Sequence, residues 1–218
     1  MKLKDALPIL EKIKYIPFGN LYSSAELSGI KIAKGNAGKL LEKLIGLPPG
    51  NTLTDFEDGE LKSNKSNEKG EPLETMFISQ ISSHIDELLD PDLKFCDSWI
   101  YEKINRLVYV PVVKVDQNPE NWYFLDYKFI EIPLGSGLFQ QLEKDFIQIK
   151  KKIAEDVLKG DTFIHTSSGT YIQIRTKDSI PYHPIHSRKL KREVSNKNFA
   201  FYFKKEFMRA IYSRTDRS

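Results

Sequence analysis

Between Leu138 and Leu158 the chain places Leu138, Leu142, Phe146, Ile149, Ile153 and Val157 at intervals of three and four. That spacing puts all six on one face of an α-helix. It predicts a long helix whose apolar stripe must be buried against another layer, and Gly160 ends it. The sequence also offers that layer. LVYVPVVKV, residues 107–115, is almost continuously apolar and reads as a strand covered on both faces. Pro111 inside it lacks an amide hydrogen and predicts an edge or a bulge there. NWYFLDYKFIEI, residues 121–132, reads as a further strand. Helices and buried strands in one chain predict a mixed α/β (α+β) fold, a mixed sheet flanked by helices.

The remaining segments fit that class. Residues 3–15 predict a first helix with Leu3, Leu7, Leu10 and Ile13 on one stripe, and Lys34 to Ile45 predict a second. LPPGNTLT then breaks the helical pattern. Residues 59–64 and 73–81 have strand character and predict a hairpin around a long polar turn, SNKSNEKGEP. SWIYEKINR, residues 98–106, reads equally as helix or strand. DTFIHTSSGTYIQIRTK predicts a hairpin around Ser-Ser-Gly. A loop bearing Tyr182, His183 and His186 follows, and FAFYFKKEFMRAIYSR predicts a strand feeding a final helix.

Composition excludes several classes. A chain of 218 residues, 40% hydrophobic and 29% charged, suits one globular domain, with a helical lobe over about 1–54 and a mixed-sheet lobe over about 55–218. No run approaches the ~18 apolar residues of a membrane span, and MKLKDALPILEKIKYI lacks the apolar core of a signal peptide. The single Cys96 excludes an internal disulfide framework and suits a reducing compartment, so a cytoplasmic location is expected. A net charge of +3 identifies no partner, but its distribution is uneven. From Arg188 onward ten Lys and Arg face three acids, interleaved with Phe199, Phe201, Tyr202 and Phe203. This is the footprint expected of a DNA-facing surface.

The chemistry-bearing stretch is KGNAGKLLEKLIGLPPGNTLTDFEDGELK, from Lys34 to Lys62. Glu42 falls on the second predicted helix and Asp55 after the loop. Glu60 and Lys62, two apart on a strand, share a face. Carboxylates converging beside an ammonium suit a divalent cation such as Mg²⁺, which favours one or two carboxylates plus water and phosphate. A cation held there polarises a phosphoryl oxygen, while the lysine orients water or stabilises developing charge.

Several segments, taken in order, resemble the MutH family of DNA endonucleases. KGNAGKLLEKLIG resembles its KGxxGxLLE segment, and DFEDGELK its Asp…Glu-x-Lys active-site signature. GEPLETMF, YEKINRLVYVPV, GTYIQIRTK and FYFKKEF are similar to the segments that follow, over roughly residues 28–214. The resemblance implies a restriction-endonuclease-like PD-(D/E)xK core, two lobes around a DNA cleft, and Mg²⁺ as cofactor with Mn²⁺ able to substitute. It implies Glu42, Asp55 and Glu60 as metal ligands, Lys62 beside the attacking water, and Lys34 and Lys103 near the scissile phosphate. Arg175 would lie in the base-reading loop, where arginine can grip guanine bidentately. Tyr202 would sit near an adenine whose methylation the family senses, with Lys204 and Lys205 on the DNA-binding segment. The MutH branch spaces its aspartate and glutamate more widely than the four residues between Asp55 and Glu60, so Asp58 or Glu57 stands as an alternative to Asp55.

The expected function is therefore a type II restriction endonuclease cutting double-stranded DNA at GATC or a related short site. A transient dimer on DNA and a cognate DNA methyltransferase as genetic partner would accompany it. Two alternatives remain open at this stage. One is a mismatch-repair nickase of hemimethylated GATC driven by a MutL-like activator. The other is a non-catalytic DNA-binding module, against which the intact Glu42, Asp55, Glu60 and Lys62 set argues.

Overall fold

The computed structural model describes residues 1–32, 36–48, 52–160 and 164–212. The chain is mixed α/β and divides into two compact units. The first comprises residues 1–76, 103–131 and 208–218, and the second residues 77–102 and 132–207. The first unit thus takes in both the helices before Asp55 and the strand after it. No helix among the described residues is long and apolar enough to cross a membrane.

In the first unit the helices are α1 (Leu3–Ile13), α2 (Phe18–Leu21), α3 (Ser24–Ile32) and α4 (Asn36–Leu44). Strand β1 (Glu60–Ser66) runs parallel to β3 (Arg106–Val113), with Glu60 opposite Leu107 and Lys62 opposite Tyr109. On its other side β3 pairs antiparallel with β4 (Tyr123–Phe124) and β5 (Lys128–Glu131). Leu3, Leu10, Phe18, Leu41, Val108 and Phe124 lie in one core. Fully burying side chains of this size contributes about 1.5–3 kcal/mol each.

Strand β2 (Met76–Gln80) precedes the short α5 (Ile85–Leu88), and α6 (Trp99–Ile104) leads into β3. The second unit is built on α7 (Gly137–Leu158), whose predicted stripe is buried: Leu142, Phe146, Ile149, Ile153 and Val157 are all at 0% exposure. Ser136 caps its start through the Phe139 amide, and Gly160 follows its end at φ +76°. The sheet here has the order β2, β10 (Phe199–Phe203), β7 (Ile172–Thr176), β6 (Ser167–Ser168). A separate antiparallel pair, β8 (Ile185–Ser187) with β9 (Arg192–Ser195), lies in the connection from β7 to β10, a stretch expected to be loop. Helix α8 (Lys205–Tyr212) ends the described chain.

Three expectations are corrected. Residues 59–64 and 73–81 do not pair as a hairpin along their length; antiparallel contact is confined to the turn, where Ser66 bridges Pro72 and the Leu73 amide donates to Lys65 O at 2.9 Å. The intervening turn closes on itself through Asn67 and Glu71, while β1 takes β3 as partner and β2 takes β10. The apolar run of β3 offers β1 a ladder buried on both faces, which a polar turn cannot. Pro111 lies on no edge: β3 is the central strand, and Pro111 falls in the break between its β5 and β4 partners, where no donor is needed. Residues 121–132 form two short strands, because the chain turns at Asp126, whose carboxylate binds Lys14 and Tyr15.

Candidate active site

The tight turn before β1 organises the site. Phe56 N donates to Gly59 O, and Thr54 Oγ1 to Phe56 O. A Cβ at Gly59 would stand 2.8 Å from Arg106 O and 2.7 Å from a Leu3 methyl, so only glycine fits. This turn folds Asp55 back on the strand. The Asp55 amide donates to Glu60 Oε2 at 3.3 Å, and the Leu61 amide to Asp55 Oδ2 at 2.9 Å.

Glu60 is 2% exposed, a position that a carboxylate tolerates only when compensated. Compensation comes from two lysines. Lys62, on the same face two residues on, donates to Glu60 Oε1, and Lys103 Nζ stands 2.8 Å from the same oxygen. Lys103 also donates to Leu53 O. Both ammonium groups are largely buried, at 11% and 13% exposure. Parallel, in-register pairing sets the first residues of β1 and β3 side by side, so the segments entering them bring Asp55 and Lys103 together.

Glu42 on α4 is half-buried. Burial first, then the charges of Asp55 and Glu60, push its carboxyl above the ordinary range, against the pull of Lys62. Asp55 is raised in the same way, by burial and then by Glu60, with Lys62 and the Leu61 amide opposing. Glu42 thus feels the negative charge of Asp55 and Glu60, and Asp55 that of Glu60. Glu42 and Asp55 share the lining of a cavity of about 320 Å³ with Thr52, Thr54 and Phe56.

The alternatives to Asp55 are engaged elsewhere. Asp58 accepts the Leu3 amide at 2.7 Å and pairs with Arg106 at 3.0 Å. Glu57 is exposed and pairs with the terminal amine of Met1. As the side chains stand, no three His, Cys, Asp or Glu among the described residues form a ready metal cage. Glu60 Oε1 is turned onto the lysines and Asp55 Oδ2 onto an amide. The donor set still fits a hard cation: three oxygen-bearing side chains, two of them, Glu42 and Asp55, held above the ordinary range by burial and then by neighbouring carboxylate charge that a divalent cation would offset.

The other predicted residues lie in the second unit, apart from Lys34, which is outside the described residues. Arg175 is exposed on β7 opposite Ala200, its guanidinium 4.7 Å from the centre of the Tyr202 ring. Tyr202 is only 7% exposed, and burial raises its hydroxyl pKa against the opposing pull of Arg175. The interleaved aromatics therefore serve the core: Phe199, Phe201 and Phe203 are buried with it. Lys204 spans the β6–β7 turn, Nζ donating to Gly169 O at 2.9 Å and its amide to Tyr171 O at 2.8 Å. Lys205 begins α8, half-buried. His183 pairs with Asp178 at 3.1 Å. The Cys96 thiol is pushed up by burial and by Asp97, which disfavours a thiolate nucleophile.

Two features of the site and its supports escape a reading of the sequence. Asn64 continues the Glu60–Lys62 face and accepts the Tyr109 hydroxyl at 2.8 Å; its i, i+2, i+4 spacing was a signal for it. Asp145, buried on α7, accepts the amides of Thr170, Tyr171 and Ile172 ahead of β7. Nothing in the helical stripe marks it.

No protein-family model matches the chain, and no curated protein matches it significantly.

Proposed function

We propose that this chain is a divalent-metal-dependent endonuclease of double-stranded DNA with a PD-(D/E)xK type of core, acting as a type II restriction enzyme at GATC or a related short site. One observation carries the reading. Lys62 and Lys103 converge on the buried Glu60 while the turn holds Asp55 against it and Glu42 faces the same carboxylates. A structural ion pair needs one lysine. A second, beside two half-buried carboxylates that burial and neighbouring negative charge disfavour as anions, suits a site prepared for a cation and a phosphate.

Glu42, Asp55 and Glu60 would hold Mg²⁺ or Mn²⁺, which when bound supplies Lewis-acid stabilisation of phosphoryl charge. The protein's own groups do the rest. Lys62 orients the attacking water through its ammonium, and Lys103 offsets charge on the phosphate as the bond to the leaving 3′ oxygen breaks. The products are a 5′-phosphate and a 3′-hydroxyl. The shortened spacing from Asp55 to Glu60 and the altered segment after Arg175 favour restriction over repair.

The test is digestion, in Mg²⁺ or Mn²⁺, of supercoiled plasmid grown with and without adenine methylation at GATC and of the hemimethylated heteroduplex of the two. Discrete double-strand breaks at a mapped site are expected. Nicks confined to hemimethylated GATC and increased by a MutL-like protein would reassign it to repair. Intact plasmid under every condition would overturn the nuclease reading.

A further inference from the structure

The connection from β7 to β10 is a built arm. Its two ends are tied together: Lys177 N donates to Asn198 O at 2.9 Å, and Asp178 Oδ2 accepts the amides of Asn198 and His183, each at 2.7 Å. Its middle is the β8–β9 pair, with Ile185 and Val194 fully buried. Its tip is Arg188-Lys189-Leu190-Lys191. Asp86, more than a hundred residues away on α5, clamps that tip. The carboxylate accepts Ser187 Oγ at 2.5 Å, the Arg188 amide at 3.0 Å and the Lys189 amide at 3.3 Å. Leu190 N donates to Ser187 Oγ and Lys191 N to Arg188 O.

Every amide of the tip is thus satisfied within the protein, which leaves the side chains to meet a partner. Arg188, Lys189 and Lys191 are exposed, and among the described residues no carboxylate forms an ion pair with any of them. The next basic residue, Arg192, is used differently: its guanidinium donates to Val157 O at 2.6 Å and braces the arm on α7. Three cations on one fixed turn repel one another, the Asp86 carboxylate offsetting part of the Arg188 charge, and a solvated charge run needs no such scaffold. The tip also lacks the apolar centre of a protein–protein interface, Leu190 alone being partly exposed. A ladder of anions is the partner that matches.

We propose that the β8–β9 arm binds the phosphate backbone of duplex DNA without regard to base sequence, through Arg188, Lys189 and Lys191. Clamping by Asp86 means that the ordering cost is met before DNA arrives. Lysine acts here as a point charge, so the arm adds affinity rather than specificity. The inference rests on the DNA-cleaving function proposed above and assigns that function a phosphate-binding element distinct from Arg175.

The experiment compares the wild-type chain with an Arg188→Gln/Lys189→Gln/Lys191→Gln variant. Binding is measured by fluorescence anisotropy in EDTA, to a duplex carrying the mapped site and to a random duplex, from roughly 50 to 200 mM salt. Every phosphate that the variant no longer neutralises reduces the slope of log K against log salt by about 0.9, so a slope shallower by about two to three is expected on both duplexes. Coincident slopes, or weakening confined to the cognate duplex, would overturn the arm. A second variant, Asp86→Ala, raises the net positive charge yet is expected to weaken binding to both duplexes. Unchanged or tighter binding would remove the clamped geometry from the argument. If the wild-type chain cuts plasmid but the variants bind as it does, only the arm fails; if it neither cuts nor binds, both proposals fail.

Discussion

Lys103 Nζ lies 2.8 Å from Glu60 Oε1, although the two residues are 43 positions apart in the chain. With Lys62 on the same oxygen, one buried carboxylate is shared by two ammonium groups. Glu60→Ala strands both cations, and removing one partner of a buried pair typically costs about 3–5 kcal/mol. Urea unfolding is expected to show a loss of that order. Cleavage is expected to vanish while DNA binding persists. A variant that still cuts would place the chemistry elsewhere.

Lys103→Met separates catalysis from structure at the same carboxylate. It leaves Glu60 one partner, Lys62, so the chain stays folded. Single-turnover cleavage is expected to fall by about a hundredfold or more, the scale of removing one group that stabilises transition-state charge. A rate within a few fold of wild type would reduce Lys103 to a structural cation.

Arg175 is exposed, its guanidinium 4.7 Å from the centre of the Tyr202 ring, and under the proposed function it would read a base edge. Arg175→Ala is expected to weaken cognate binding by about 1–3 kcal/mol, with random duplex far less affected. Lysine should not rescue it, because a point charge lacks the planar fork. Equal weakening on both duplexes would make Arg175 a phosphate-binding residue.

Asp145 and Gly169 hold the entry to β7. Asp145 is 1% exposed and accepts three backbone amides, and a Cβ on Gly169 would stand 2.3 Å from its carboxyl carbon. Asp145→Ala leaves those amides without their acceptor and is expected to cost about 3 kcal/mol or more. Gly169→Ala should destabilise in the same direction by displacing the carboxylate. Denaturant midpoints of both variants test the pair.

Asp156 gives stability a pH dependence. Burial opposes its ionisation, but hydrogen bonds from Lys152, the His165 amide and the His165 ring outweigh burial and hold its pKa below the ordinary aspartate value. A depressed folded pKa means that the contribution is fully present above the unfolded value of about 3.9. It is lost as pH falls through the folded value. Asp156→Asn should therefore flatten the acid limb of the stability curve below about pH 4, leaving its shape near neutrality unchanged.

Much of the local structure was legible because period and breakers are short-range signals. The α7 stripe, Gly160 at its end and the β7 and β10 strands follow from side-chain spacing alone. Pairing was not legible. Residues 59–64 and 73–81 are near in sequence, and proximity suggested a hairpin, yet β1 gained more by lying against the apolar β3. The same limit hid the β8–β9 arm, whose short, polar strands depend on Asp86 and Asp178 to hold them.

For the candidate site the division is similar. The sequence by itself determined that Glu60 and Lys62 share a face, since alternation along a strand is a property of the backbone. It also placed Asp55 just after the loop that breaks the helical pattern. Only the tertiary structure decided that Asp55 rather than Asp58 stands against Glu60, because Asp58 is drawn to Arg106 and the Leu3 amide. It likewise decided that Lys103 completes the cluster and that the aromatics of β10 face the core. The physical reason is the parallel register of β1 and β3. It aligns the entries of two strands distant in the chain, and no pattern within either segment encodes that alignment.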